Sequence, residues 1–233
     1  LLAPLDETVL ESYLKPYINP FKMIGTVILI VGIMLLGSSV YAAILKSKMA
    51  KHLFKIGIVT LFMGGYTVFD IMMVYFTDEL LVMRTYGGQL CLMLGGYFLG
   101  LNICDIITEK YKKTAEMVMG ASGIINLLVI AVAISGKALL YDTRMLWECS
   151  QCIVSLILIA LCFLELKKEK KKGTELVTYI LIHTAILLDF IGVGYHMYYS
   201  GICFKVSFMV MLLVFMLQGV KQVVMDHQAS IKN

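Results

Sequence analysis

Two aspartates, Asp70 and Asp189, stand inside stretches that are otherwise almost wholly apolar, and three further polar residues, Gln89, Asn126 and Ser155, stand in similar stretches. A carboxylate in apolar surroundings is costly unless something pairs with it, so each marks a place where a cation, a donor-bearing ligand or another helix is met. Counted along a helix from the ends of their stretches, the five come to similar depths, roughly 10–15 Å below one surface. If their faces converge, they enclose a polar cavity suited to a small ligand with donor groups or a positive charge. The competing use of the same residues is hydrogen bonding between helices with no ligand, worth about 0.6 kcal/mol per contact. Arg84 and Lys205, near the same surface, could offset the buried carboxylates. Asp189 and His196 share a helix face, which allows a water-linked pair.

Other chemistry lacks the set of residues that it needs. His183 has no second histidine at matching depth, so it reads as a satisfied neutral side chain rather than a metal or haem ligand. Cys149 and Cys152 form ECSQC, a CxxC spacing on one helix with no second copy, and Cys203 comes to a comparable level. Six cysteines, most of them in apolar runs, do not form a framework of spaced pairs, and no disulfide scaffold is inferred. A retinal Schiff base needs a lysine in the middle of the last span, whereas Lys205 and Lys221 lie near its two ends. A seven-span zinc hydrolase needs several histidines converging on one metal. No catalytic residue, metal site or cofactor is expected in this chain, and no nucleic-acid binding.

The elements that would carry these residues are membrane helices. With 60% hydrophobic residues, 15% charged and a mean hydropathy of +0.86, the chain is too apolar for an ordinary soluble domain. Three prolines and long unbroken apolar runs favour helices over a barrel. The expected fold is all-α, a seven-transmembrane helix bundle. Its spans run roughly over residues 22–45, 53–76, 80–107, 117–135, 145–166 and 176–198, with the seventh starting near Ile202. Residues 1–21 read as an extracytoplasmic lead-in, 22–218 as the membrane domain and 219–233 as a cytoplasmic extension of the last helix. Pro20 suits the first turn of the first span. The chain begins LLAPLDETVL with no visible signal peptide, so it reads as a piece of something longer.

Lysine placement sets the expected orientation. Fourteen of the twenty Lys and Arg fall in the connections after spans one, three and five and in the tail, against six on the other side. Because basic residues accumulate on the cytoplasmic face, the amino terminus is expected outside and the carboxyl terminus inside, in the plasma membrane. The run LKKEKKK reads as a solvated stop signal that contacts lipid headgroups. Small residues recur within spans, among them Gly64, Gly65, Gly95, Gly96 and Gly100, and let helices approach closely.

The last stretch continues from FKVSFMVMLLVFML into QGVKQVVMDHQASIKN without a Gly-Pro break. Leu213, Leu217, Val220, Val224, His227 and Ile231 recur at steps of four and three, the spacing of a coiled-coil seam, which suits a signalling helix and a homodimer. A helix that merely overruns the membrane by a few turns would also produce part of this stripe.

Seven short-looped spans with a last helix passing into a coiled-coil-like rod, and the wording FKIGIVTLFMGGYTVFDIMMVYF followed by GGYFLGLNICDIITEKYKK, resemble the bacterial seven-transmembrane sensor modules of the "diverse intracellular signalling" group. The likeness covers about residues 22–228 and carries over no binding residue. It implies a receptor module that senses an extracytoplasmic or membrane stimulus. It also implies a sensory region before residue 1 and a diguanylate cyclase or histidine kinase output after residue 233, so any enzymatic activity would belong outside this chain. The alternative is a small-solute or cation transporter using Asp70 and Asp189. Against it stand the lack of internal repeats and of any span interrupted by proline.

Overall fold

The computed structural model describes residues 7–44, 49–71, 78–136, 143–168, 173–194, 203–215 and 217. Among them are seven helices and no strand: α1 (Glu7–Ile44), α2 (Met49–Ile71), α3 (Asp78–Ile106), α4 (Glu109–Ile134), α5 (Arg144–Lys168), α6 (Gly173–Gly194) and α7 (Cys203–Phe215). Six contain stretches long and apolar enough to cross a membrane: Met23–Ile44, Ala50–Phe69, Tyr86–Ile106, Glu109–Ile134, Arg144–Lys168 and Gly173–Ile191. The seventh is apolar but shorter over its described part. Large apolar side chains such as Met34, Ile44, Met117, Leu127 and Leu146 are well exposed, as expected where lipid rather than water is the solvent.

The helix bounds differ most from the sequence expectation in two places. α1 begins at Glu7 and runs through Pro16 and Pro20, so the lead-in and the first span are one helix of 38 residues. At 1.5 Å per residue this is far longer than a bilayer core is thick. α4 begins at Glu109 rather than near Met117, because the Thr108 carbonyl accepts the N–H groups of Tyr111 and Lys112 and so starts the helix in charged sequence. Its other end closes with Ser135 N–H on Ala131 O and Gly136 N–H on Ala133 O. There Gly136 adopts φ +68°, a left-handed conformation that glycine takes without steric cost.

The chain divides into two units, Leu1–Asn102 with Ile130–Asp142, and Ile103–Val129 with Thr143–Asn233. In the first, α1 and α2 pack backbone to backbone. A Cβ placed on Gly64 would lie 2.6 Å from Leu29 N, and one on Gly32 would lie 2.7 Å from Leu61 N. Gly57 against Leu36 and Gly25 against Thr67 continue the same antiparallel register. Along α3, Gly87 and Gly88 receive Phe69 and Gly65 of α2 receives Cys91, while Phe62 stacks on Phe98 with centroids 5.9 Å apart. The buried Thr60 and Thr67 donate to their own helix, to Ile56 O and Met63 O, and so ask nothing of a neighbour.

The second unit is held by polar pairs as well as packing. On α5, Trp147, Val154, Ser155, Leu158, Leu161, Cys162 and Glu165 are buried at helical spacing, one continuous stripe that mixes polar and apolar side chains.

Candidate functional site: the polar seam of the second unit

Polar side chains along the α5 stripe meet partners on both neighbouring helices. Toward α4, the Trp147 indole N–H donates to Asn126 Oδ1 at 2.9 Å, and Gln151 Nε2 donates to Ser122 Oγ at 3.3 Å. At the far end of the seam the Thr108 hydroxyl donates to Glu165 Oε2 at 2.8 Å. These three pairs share one antiparallel register, since each step along α4 is matched by an equal and opposite step along α5. Toward α6, His183 Nδ1 and Ser155 Oγ lie 3.1 Å apart, both buried, and Trp147 meets Phe190 edge-on with centroids 6.2 Å apart. The α5–α6 contacts therefore also keep a single register.

The seam continues to α7. Asp189, near the end of α6, accepts the backbone N–H of Phe204 at 2.8 Å. Phe204 is the second described residue of α7, and its backbone N–H is met by a side chain from outside the helix, as the N–H groups of a first turn must be. Asp189 thus acts as a cap supplied by another helix. Lys205, the next residue, is buried. One helix length away, Tyr179 of α6 packs against Phe215 of α7 with centroids 5.8 Å apart, so α6 and α7 touch at both ends of the described part of α7.

Of the five residues read from the sequence as a converging site, Asn126, Ser155 and Asp189 lie in the second unit, each with a separate partner. Gln89 is half-buried on α3 of the first unit. Asp70 lies on the last turn of α2, and its side chain is outside the described residues. The coiled-coil stripe expected of the last helix begins with Leu213 and Leu217, which are exposed; Val220, Val224, His227 and Ile231 lie outside the described residues. Asn126 and Ser155 serve as helix-to-helix hydrogen-bonding groups, one of the two uses open to them, and Asp189 serves as a cap.

Sequence reasoning misses Glu165, Trp147, Gln151 and Thr108. Glu165 looks like part of the solvated run LKKEKKK that follows it, yet it is 0% exposed. Its position on the stripe of Ser155, Leu158 and Cys162 is the signal that could have found it. Two buried polar atoms have no hydrogen-bond partner among the described residues, Glu165 Oε1 and His183 Nε2.

None of the six cysteines is in a disulfide; Cys149 and Cys203 are exposed and Cys152 is half-buried. Among the described residues no group of three or more His, Cys, Asp or Glu is placed to hold a metal ion. A search of protein-family models, curated proteins and solved structures finds no match to this chain.

Proposed function

We propose that this chain is the membrane module of a signalling receptor, with its amino end outside and its carboxyl end in the cytoplasm. A stimulus reaching it from the outer side or from the membrane shifts the packing of α5 and α6, and α7 carries the shift inward to an output domain. The observation that best supports this reading is the Asp189 cap on α7. It ties the first described turn of α7 to α6, and α6 is tied through Ser155 and His183 to the α4–α5 seam. A change of register anywhere on the seam then has a covalent and hydrogen-bonded route to α7. The energy must come from a ligand or partner that prefers one packing over the other. The resemblance to bacterial sensor modules, the coiled-coil spacing beyond Leu213 and the lysine placement support the same reading, with a homodimer formed through the last helix.

Transport of a small solute or cation is the second reading, kept because Asp189 is only half-buried in an apolar helix. The two separate in liposomes containing the 233-residue chain. The receptor reading expects sealed vesicles with no uptake, whereas transport expects uptake that Asp70→Asn or Asp189→Asn abolishes.

A further inference from the structure

Among the described residues, Glu165 is the most deeply enclosed charged side chain of the second unit, 0% exposed, and only one of its oxygens is satisfied. Oε2 accepts the Thr108 hydroxyl, while Oε1 has no hydrogen-bond partner among the described residues. A buried carboxylate oxygen with no donor or cation beside it loses its hydration and recovers nothing, so its surroundings define what it lacks.

Thr108 lies in the two-residue joint between α3 and α4. Through its bond to Thr108, two residues past Ile106, Glu165 stands beside the carboxyl end of α3, where terminal carbonyls carry partial negative charge. A carboxylate, a hydroxyl oxygen and the negative end of a helix attract a cation and repel an anion.

No basic side chain among the described residues donates to Oε1. Lys167 and Lys168 are exposed, Lys112 pairs with Glu109 at 3.5 Å, and Lys110 sits over the Tyr111 ring. Of the titratable groups on α6, Tyr179 and Glu175 bring no positive charge.

We propose that Glu165 and Thr108 form a buried site for a small monovalent cation, a sodium ion or a proton, enclosed where α3, α4 and α5 meet. Occupancy fastens α5 to the α3–α4 joint. The site does not depend on the receptor reading and would serve a receptor or a transporter equally.

The test is thermal unfolding of the 233-residue chain in detergent, with sodium exchanged for choline at constant ionic strength, and separately with pH lowered at constant choline. A saturating cation that binds only the folded state raises the midpoint by about 5 °C. A sodium-dependent rise identifies the metal ion and a rise on acidification identifies the proton. In either case Glu165→Gln removes the dependence and Thr108→Val shifts its midpoint concentration by about tenfold or more. If the wild type responds to neither cation, or if Glu165→Gln responds as the wild type does, the proposal is overturned. Should Glu165→Gln fail to fold, Thr108→Val decides alone, and an unchanged cation dependence in that variant also overturns it.

Discussion

Asp189 of α6 and Phe204 of α7 are joined by a 2.8 Å hydrogen bond from a backbone N–H to a carboxylate, which makes a side chain of one helix the cap of the next. A carboxylate held in this way is already occupied by the positive end of a helix, and its role differs from that of an open cation ligand.

The cap predicts an ordered pair of outcomes. Asp189→Asn keeps an acceptor for Phe204 N–H and should unfold within about 1 kcal/mol of the wild type, whereas Asp189→Ala should cost about 1–2 kcal/mol. Amide hydrogen exchange at Phe204 should quicken in the alanine variant before any other described helix responds. Equal damage from both variants would mean that the charge, and not the hydrogen bond, is what Asp189 supplies.

Close approach of α1 and α2 predicts a sharp contrast among glycines of one pair of helices. A side chain at Gly64 meets the backbone of Leu29, which cannot move aside, so Gly64→Val should cost about 1–3 kcal/mol or separate the two helices. A methyl group placed on Gly37 meets nothing within 4 Å, and Gly37→Ala should be neutral or stabilise by up to about 1 kcal/mol. Thermal unfolding of the two variants side by side checks this.

Orientation is open to direct labelling. Ser135, exposed after the last turn of α4, belongs to the lysine-poor side, and Lys168, exposed at the end of α5, to the lysine-rich side. In a background with the native cysteines replaced, Ser135→Cys should react with a membrane-impermeant maleimide added to intact cells. Lys168→Cys should react only after the membrane is opened. The reverse pattern would turn the receptor inside out.

The helices and their apolar spans are legible in the sequence because apolar runs of this length have few other solutions. The start of α4 is not, since Glu109, Lys110, Lys112 and Lys113 look like a loop until Thr108 is seen to cap them. Asn126, Ser155 and Asp189 stand out as polar groups with something to meet, but their partners are out of reach. An indole, an imidazole and a backbone N–H on other helices cannot be assigned from one sequence. Glu165 is hidden by its neighbours: a run of charged residues begins at Lys167, and only the three-dimensional stripe on α5 separates the buried carboxylate from the solvated lysines.

If α7 transmits the state of the seam to what lies beyond it, output must depend on the rotational phase of the helix past Gln222. With the chain joined after residue 233 to a histidine kinase output domain, one, two, three or seven residues are inserted after Gln222. Each inserted residue turns everything beyond it by about 100°, and seven residues return the coiled-coil seam to its starting face. Kinase activity should change with the short insertions and recover at seven, with membrane insertion unaffected. Activity that stays the same through the whole series would contradict it.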